Sequence, residues 1–583
     1  MKKRLIPLML VVIMFLTGCD TASMPESKGS EPPTASEKVV EKMGPIGADK
    51  WLYNEEDDVY YQLQLLYCEK PADASLEKLA IFVPGAYFTG TPNGDGTYTC
   101  KINEEGTVGS YTAKEAPFSF AVYTPGYAEC APVSGYIDFT TFTDAGIIHV
   151  YSGCRGRNAG APAGVTDLKA AIRYLRSNAV SLPGNTDQIY AFGMSGGGAQ
   201  CAILAASGNS ADYEPYLDEI GAVKDWGDEV MGAMCWCPVT NLDTVNEAYE
   251  WEMGVSRTDM SAEDQMLSDR MAKAYAEYVN QAGFIDESGL VLTLEASDTG
   301  AYQAGTYYDY IKATIEDSLN SFLAITEFPY DADLINKIGQ ESGRHKGTTA
   351  KAVIENPTTA ENWVPLVNAG EKKTDIFAGV YETAQDYIDA LNTNGIWVLY
   401  DDATNTVSIT SVSDFVCAAK PAGKSVGAFD SPTGDSDRNE IFGIGSRVAV
   451  HFDAIFGELL ADTEYSAEFE KDFSSRDSVG NTVLDVVKMY TPLNYLMESY
   501  DGYGTATVAK YWRIRSGISQ EDRPVSSEIN LILALQNCDA VEALDYATIW
   551  GQKHVQAEFG GAESVAEYIK WVEACMHEQA GND

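Results

Sequence analysis

Residues 188–201 carry more structural information than any other segment and read Gln188-Ile189-Tyr190-Ala191-Phe192-Gly193-Met194-Ser195-Gly196-Gly197-Gly198-Ala199-Gln200-Cys201. An apolar, strand-forming run enters a Gly-x-Ser-x-Gly pattern, and small residues of high helix propensity follow it. A strand that turns this sharply into a helix needs glycines where the two elements approach each other. The turn lifts a serine hydroxyl clear of the sheet and points backbone N–H groups toward a developing anion. The segment therefore predicts a nucleophile turn with Ser195 at its tip.

The pattern alone is a weak signal, because glycine accounts for 51 of the 583 residues. A second copy occurs at Gly423-Lys424-Ser425-Val426-Gly427. It is followed by Ala428-Phe429-Asp430-Ser431-Pro432, and a proline at that place excludes the interior of a helix. The strand-turn-helix context therefore favours Ser195 over Ser425 as the nucleophile.

Strand-like and helix-like segments alternate on both sides of the turn. Strands are predicted at Val59–Tyr67, Leu79–Pro84, Phe118–Pro125, Gly146–Tyr151 and Val230–Cys237, and an amphipathic helix at Gly164–Ser177. This alternation is typical of a mostly parallel sheet with helices on both faces. The predicted fold class is therefore α/β.

After Asp243 the alternation of strands and helices stops, and it resumes near the C-terminal end of the chain. Helices are predicted at Ala262–Ala282, Tyr307–Ile325 and Tyr381–Leu391, and a hairpin from Ile396–Tyr400 and Val407–Val412. The later segments are a strand Tyr511–Arg515, a helix Glu528–Leu535, a strand Leu544–Trp550 and a helix Ser564–Met576. We predict a body in two parts, 46–243 and 488–583, with a large, mainly helical cap or lid insertion at 244–487. Such an insertion covers the carboxyl ends of the strands, where ligands bind in open α/β sheets.

The N-terminal segment has the composition of an export signal. Lys2-Lys3-Arg4 precedes the apolar run Leu5–Leu16, and Leu16-Thr17-Gly18-Cys19 is similar to the bacterial lipobox. This resemblance implies a signal peptide at 1–18, cleavage before Cys19 and a lipid on that cysteine. Residues 19–45 are then a flexible tether, and the protein is anchored to the outer face of the bacterial cell membrane. The alternative is an ordinary signal peptide with a chance cysteine.

Composition limits the possible partners. The 86 acidic and 40 basic residues give a formal net charge of −46, with 45% hydrophobic residues. A chain this acidic predicts a globular exported body and argues against nucleic-acid binding. Cys235 and Cys237 lack the spacing of a metal or redox pair, and no zinc pattern is present. We therefore predict no metal and no cofactor.

A serine nucleophile needs a base, and the chain contains only five histidines. His149 lies in the apolar run Ile147-Ile148-His149-Val150, as expected for a core residue, and His345 lies in a basic loop. His451 lies inside the insertion, where packing is expected, and His577 lies on the terminal helix. His554 comes four residues after the last strand, in a loop where this kind of fold presents an imidazole, and is the predicted base.

The residue that orients the base is expected after the strand Tyr511–Arg515. The loop there reads Ser516-Gly517-Ile518-Ser519-Gln520-Glu521-Asp522-Arg523-Pro524, and we predict Asp522, with Glu521 as the alternative. The resulting chain order Ser…Asp…His is that of α/β-hydrolases. One oxyanion donor is expected to be the N–H of Gly196, and the other to lie in the loop around Gly126 and Tyr127.

The chain resembles the bacterial subtype-B tannases and their α/β-hydrolase relatives. The similarity lies in Gly153-Cys154-Arg155-Gly156-Arg157 with Asp167-Leu168-Lys169-Ala170-Ala171, in the Gly193–Gly198 turn, in Arg513-Ile514-Arg515-Ser516-Gly517 and in the last strand with His554. The separation of 32 residues between Asp522 and His554 is also similar. The resemblance implies the α/β-hydrolase fold and ester hydrolysis.

Two departures concern specificity. Tannases of this type carry a second acid, two residues past the catalytic Asp, that binds galloyl hydroxyls, and Pro524 is the expected counterpart. The cysteines that flank Ser and His in fungal tannases are replaced by Met194 and Val555. The family's Lys and Glu of the insertion, which also bind galloyl hydroxyls, correspond loosely to Lys424 and Glu440.

The sequence thus predicts a lipid-anchored, extracytoplasmic serine carboxylesterase. Its substrates are predicted to be small carboxylic esters, including phenolic esters of the tannase or feruloyl-esterase kind, cleaved through an acyl-enzyme on Ser195. Two alternatives stay open: a serine peptidase of the same fold, and a non-catalytic lipoprotein binding module.

Overall fold

The computed structural model of this chain describes residues 42–258, 260–298, 300–332 and 378–582. From Lys42 onward the chain forms one compact unit. The predicted signal peptide, the lipidation site Cys19, most of the tether, His345 and the middle of the insertion lie outside the described residues. The predictions for those segments stay predictions.

The described residues form a nine-stranded central sheet in the order β1-β2-β3-β9-β8-β10-β11-β18-β19. Its strands are β1 (Leu52–Asn54), β2 (Val59–Leu66), β3 (Lys78–Pro84), β8 (Phe118–Val122), β9 (Ile148–Ser152), β10 (Ile189–Met194), β11 (Gly232–Trp236), β18 (Tyr511–Gly517) and β19 (Ala543–Ile549). The strands from β9 to β19 in this order are parallel, while β1, β2, β3 and β9 pair antiparallel. Strands β8, β9, β11 and β18 are buried along their whole length, as expected for parallel strands covered on both faces. The predicted α/β class is confirmed.

Helices cover the sheet. The helix after the serine turn, α3, consists entirely of buried residues. The described helices are α1 (Thr140–Thr143), α2 (Ala163–Ser177), α3 (Gly196–Ala206), α4 (Glu214–Glu219), α5 (Val245–Met253), α6 (Ala262–Ala282), α7 (Thr306–Ile325), α8 (Ala384–Leu391), α9 (Val412–Ala419), α10 (Ala454–Leu459), α11 (Ser466–Ser474), α12 (Val483–Met489), α13 (Leu493–Leu496), α14 (Val525–Gln536) and α15 (Ser564–Asn582). Within the described ranges, no helix combines the length and apolar character needed to cross a membrane.

The chain between β11 and β18 contributes none of the described strands of the central sheet. Its described residues form helices α5 to α13 and three small two-stranded sheets instead. The paired strands outside the sheet are β4 (Phe88–Pro92) with β5 (Tyr98–Ile102), β6 (Thr107–Val108) with β7 (Tyr111–Thr112), β12 (Glu295–Ser297) with β13 (Gly300–Ala304), β14 (Tyr330–Asp331) with β15 (Val380–Tyr381), and β16 (Val398–Asp401) with β17 (Thr406–Ile409). The described part of the insertion therefore contains far more helix than strand, in agreement with the predicted helical character.

Arg513, on β18, binds a residue of the loop that follows β19. Arg513 donates from Nη1 and Nη2 to the two carboxylate oxygens of Glu558, at 2.6 and 2.7 Å. The indole N–H of Trp236 donates to the same carboxylate at 2.9 Å. Both charged side chains are nearly excluded from solvent, at 5% and 2% exposure. The pair therefore fixes Glu558, four residues beyond His554, to the neighbouring strands.

Breaking this pair is expected to destabilise the fold. Arg513→Met should lower the free energy of unfolding by about 3–5 kcal/mol, because it removes both arginine hydrogen bonds from the buried carboxylate of Glu558 and leaves only Arg515, 3.8 Å away, as a charged neighbour. Denaturant unfolding followed by intrinsic fluorescence measures the loss. The matched control is Lys570→Met, which removes an exposed partner of Glu567 and should leave the unfolding midpoint in place. Equal midpoints for Arg513→Met and the wild type would contradict the assignment.

Candidate active site

Ser195 lies at the sharp turn between β10 and α3. Its backbone adopts φ 61° and ψ −124°, a conformation that L residues rarely adopt. The turn is held by the neighbouring strand, because the N–H of Ser195 donates to the carbonyl of Trp236 at 2.9 Å. The strained conformation lifts the hydroxyl out of the end of the sheet, as the sequence pattern predicts.

Two glycines of the turn are required by close backbone contacts. A Cβ at Gly193 would lie 2.4 Å from the carbonyl oxygen of Gly197, and a Cβ at Gly197 would lie 2.3 Å from that of Val122. Both contacts are with backbone, so a side chain at either position would force the strand and helix apart. This is the physical reason for the Gly-x-Ser-x-Gly spacing here.

His554 lies in the loop after β19 and contacts the nucleophile. Its Nε2 lies 2.7 Å from Oγ of Ser195. The loop is closed by Gln552, whose side chain donates to the carbonyl of Glu558 at 2.7 Å and accepts from its N–H at 3.3 Å. Burial lowers the pKa of His554 to about 4; nearby guanidinium groups add to this, and the charge of Asp522 opposes it. The imidazole is therefore neutral near pH 7 and able to accept a proton.

Of the other described histidines, His149 and His451 are buried in packed surroundings and His577 is exposed. His149 is fully buried, bonds to the hydroxyl of Ser119 at 2.9 Å and packs between aromatic rings. In the insertion, His451 bonds to the carboxylate of Asp430 at 2.8 Å and stacks on a phenylalanine. His577 lies on α15. The second Gly-x-Ser-x-Gly copy places Ser425 in an exposed loop rather than between a strand and a helix.

The side chain in contact with the second nitrogen of the base differs from the prediction. Oε1 of Gln520 lies 2.5 Å from Nδ1 of His554, in the position predicted for Asp522. Gln520 is 3% exposed, whereas the side chain of Asp522 is 30% exposed and lies two residues further along the loop. The prediction relied on the 32-residue spacing to His554, and the turn after β18 instead directs the residue 34 positions before it at the imidazole. The alternative, Glu521, contributes its backbone carbonyl to the insertion.

This shift changes the expected departure from the tannase pattern. The resemblance implies a second acid two residues past the residue that orients the histidine. Counted from Gln520, that position is Asp522 and not Pro524. The candidate site therefore contains an acid where the resemblance expects one, and an amide where it expects the orienting carboxylate.

Asp522 lies among cationic and aromatic groups. Burial alone would raise the pKa of its carboxyl, but the charges of Arg523, His554 and Lys424 outweigh it and hold that pKa well below its ordinary value. Lys424 and Arg523 both lie over the ring of Phe429, at 5.3 and 5.1 Å from its centroid. Burial and the neighbouring guanidinium groups lower the pKa of Lys424 to about 8. Of the two predicted insertion contacts, Lys424 thus belongs to the surroundings of the site.

The second predicted insertion contact, Glu440, is engaged by a cation. Its carboxylate lies 3.0 Å from Nε of Arg157, the last residue of the Gly-Cys-Arg-Gly-Arg motif. Nη1 of the same arginine donates weakly, at 3.4 Å, to the carbonyl of Gly126. Arg157 therefore bridges Glu440 and the candidate oxyanion loop.

The candidate oxyanion loop packs directly on the start of α3. A Cβ at Gly196 would lie 2.4 Å from the backbone nitrogen of Tyr127 and 2.9 Å from that of Gly126. The N–H of Tyr127, however, donates to the carbonyl of Thr124 at 3.0 Å. The prediction of Tyr127 as a donor is therefore corrected, because the tight turn uses its N–H. Gly126 and Gly196 are left as the candidate donors.

Sequence reasoning missed the residues of the insertion that fix the loop after β18. The ammonium of Lys420 donates to the carbonyls of Gln520 and Arg523. Glu252 on α5 accepts the N–H groups of Val525 and Ser526, at 2.9 and 3.0 Å. Both side chains are buried, at 1% exposure each. For Lys420 the signal is a lysine in the otherwise apolar run 417–422, since buried charges need partners. Glu252 lies among other glutamates on α5 and carries no such signal.

Within the described ranges, no three His, Cys, Asp or Glu side chains are grouped to hold a metal ion. Cys201, the last residue of the quoted stretch 188–201, is fully buried on α3. The site is therefore built from a serine, an imidazole, an amide and a surrounding set of charged groups.

Comparisons with known proteins identify a family match and similar folds. Residues 140–292 match the BD-FAE family, and no curated protein sequence matches the chain. The crystal structure of tannase from Lactobacillus plantarum is similar, with 22% identity and a TM-score of 0.63 over 89% of this chain and 95% of that one. The tannase from Fusobacterium nucleatum has the same identity and coverages and a TM-score of 0.64. A tannin acyl hydrolase in complex with ethyl gallate is 23% identical, with a TM-score of 0.61 over 88% of this chain and 94% of that one. The chain therefore has an α/β-hydrolase fold similar to that of these tannases.

Proposed function

We propose that this protein is a serine carboxylesterase that works through an acyl-enzyme on Ser195. The observation that carries the proposal is the 2.7 Å contact between Oγ of Ser195 and Nε2 of a neutral His554, at the tip of a strained strand-to-helix turn. A serine becomes nucleophilic when such a base takes its proton as it attacks.

The reaction follows from this geometry. Ser195 Oγ attacks the ester carbonyl while His554 takes the hydroxyl proton, and the N–H groups of Gly196 and Gly126 bind the oxyanion that forms. His554 then gives the proton to the departing alcohol, which leaves an acyl ester on Ser195. A water molecule, deprotonated by His554, attacks that ester and releases the acid.

The proposed substrates are esters of hydroxylated aromatic acids. Support comes from the two cations Lys424 and Arg523, which both lie over the buried ring of Phe429, and from the carboxylate of Asp522, on which their charges act. The hydroxyls of an aromatic acyl group can bond to such a carboxylate and to such cationic groups. Similar structures support the same class of substrate, since tannin acyl hydrolase forms complexes with ethyl gallate and 3,4-dihydroxybenzoate.

The proposed location is the outer face of the cell membrane, with a lipid on Cys19. The support is the sequence alone: a basic start, an apolar run and Leu16-Thr17-Gly18-Cys19. The tether that follows gives the body freedom to meet soluble esters outside the cell.

An activity-based label tests the class of the protein. A fluorophosphonate should react at Ser195 with loss of fluoride, and intact-mass and peptide analysis locate the adduct. The label reports an activated serine whatever the acyl group of the natural substrate. A folded protein that stays unlabelled would show a binding module and overturn the proposal.

A matched ester pair tests the substrate. We expect methyl 3,4,5-trihydroxybenzoate to exceed methyl benzoate in kcat/KM by about 10²-fold or more, because the site offers partners only to the hydroxylated ring. Asp522→Asn should narrow this ratio mainly through KM for the hydroxylated ester. A protein that hydrolyses both esters equally well would contradict the phenolic specificity, and cleavage of peptide substrates instead would favour the peptidase alternative.

A further inference from the structure

The base of this site is held by an amide. In a Ser-His-Asp site, a carboxylate accepts the Nδ1 proton of the histidine, which leaves Nε2 free to accept the serine proton. Here the acceptor is Oε1 of Gln520, 2.5 Å from Nδ1 of His554. An amide can present either an oxygen or an NH₂ group, so it keeps the useful tautomer only if its own orientation is fixed.

The surroundings of Gln520 fix that orientation. Its Nε2 donates to the carbonyl of Gly517 at 2.9 Å and to Oε1 of Glu528 at 3.2 Å. A carbonyl and a carboxylate are acceptors, so the NH₂ group must face them and the amide oxygen must face the imidazole. Nδ1 of His554 therefore carries the proton, and Nε2 faces the hydroxyl of Ser195 as an acceptor.

Glu528 is built into the core behind this amide. It lies in the first turn of α14 and is 4% exposed. Burial raises the pKa of its carboxyl to about 7, while the hydroxyl of Ser516 and the charge of Lys420 act in the opposite direction. A buried acid costs stability unless it has partners, so its contact with the amide of Gln520 points to a use. The acid thus lies one hydrogen bond further from the imidazole than in a Ser-His-Asp site.

We propose that Gln520 and Glu528 act together as the positioning pair for His554, in a chain of contacts Ser195–His554–Gln520–Glu528. In this arrangement Glu528 fixes the amide of Gln520, and the amide fixes the tautomer of the base. Asp522 is thereby free to face the substrate. This proposal rests on the esterase function proposed above.

The first test exchanges the amide. Gln520→Met removes the acceptor while the side chain keeps nearly the same length. It should lower kcat by about 10²–10⁴-fold and leave KM within about threefold of wild type, because the imidazole is no longer held in the tautomer with the proton on Nδ1. Gln520→Glu keeps the shape and places a carboxylate on Nδ1. An opposite charge at this distance should move the acidic midpoint of the kcat/KM profile upward by about 1–3 pH units. The other charges near His554 are Asp522, Arg523, Arg438 and Lys420, and none of them is altered. Glu528 then faces the new carboxylate, and because burial already raises its pKa to about 7, Glu528 is the acid expected to carry the proton between the two.

The second test separates the two roles of Glu528. Glu528→Gln keeps an acceptor for the amide of Gln520 and should leave kcat within about threefold of wild type. Glu528→Met removes the acceptor and should lower kcat about 10–100-fold without moving KM, as expected for a residue that acts through another. The control is Glu521→Gln, a neighbouring charge on the same loop, which should change neither constant.

Defined results would overturn the proposal. These are an unchanged kcat in Gln520→Met, an unmoved acidic midpoint in Gln520→Glu, or equal rates in the two Glu528 variants. A collapse of kcat with a lowered acidic midpoint in Asp522→Asn would instead assign the positioning role to Asp522. If Gln520→Met fails to fold, the isosteric Gln520→Glu decides. A wild-type protein that neither takes the fluorophosphonate nor cleaves any ester would refute the proposed function itself, which is a separate outcome.

Discussion

Ser195→Ala is expected to lower kcat for ester hydrolysis by about 10⁵–10⁶-fold, the loss found when a catalytic serine that acts as a unit with its base is removed. The reason is covalent: without Oγ, no acyl-enzyme forms, and only the oxyanion donors and substrate binding contribute. The side chain is small and makes little packing contact, so the fold should be kept. Steady-state kinetics with an activated ester measures the loss, and the fluorophosphonate adduct should disappear with it.

The chain provides its own control for this variant. Ser425 lies in the same Gly-x-Ser-x-Gly pattern but on an exposed loop. Ser425→Ala should therefore leave both kcat and labelling unchanged. A loss of activity in Ser425→Ala together with retained activity in Ser195→Ala would reverse the assignment of the nucleophile.

The sequence predicts well those elements whose ends carry local signals. Helix α6 begins after Ser261, whose hydroxyl accepts the N–H of Asp264, and ends at Gly283, which adopts φ 71°. Its predicted range, Ala262–Ala282, therefore matches at both ends. Helix α8 starts three residues later than predicted, because Thr383 and Asp386 form a capping box inside the predicted range.

The serine turn could be predicted for the same reason, since its glycines are required by contacts within a few residues and with the adjacent strand.

The residue that contacts Nδ1 of the imidazole could not be predicted from the sequence. The path of the loop 518–524 is set by Lys420 and Glu252, which come from segments about 100 and 270 residues earlier in the chain. No local pattern reports such contacts. Spacing to His554 therefore selected Asp522, while tertiary contacts bring Gln520 to the imidazole.

The use of an amide also changes what the base should do. A carboxylate on Nδ1 stabilises the imidazolium that forms as the serine attacks, and an amide stabilises it less. The sequence alone predicts an ordinary imidazole pKa, of about 6–7. In the structure, burial lowers the pKa of His554 to about 4. The base should therefore stay neutral, and competent, in more acidic solution than a histidine held by a carboxylate.

His554→Ala is expected to lower kcat about as much as Ser195→Ala, by roughly 10⁵–10⁶-fold, because serine and base act as a unit. The pH profile of the wild type identifies the group that the variant removes. The neutral imidazole accepts the serine proton, so kcat/KM should fall as pH decreases through the pKa of His554, about tenfold per unit below about pH 4. The residual activity of His554→Ala should not show this fall at acidic pH, since no imidazole next to Ser195 is left to become protonated. A wild-type profile that falls near pH 6–7 would show that His554 is held by a carboxylate in solution, and a variant that keeps the acidic limb would show that another group is the base.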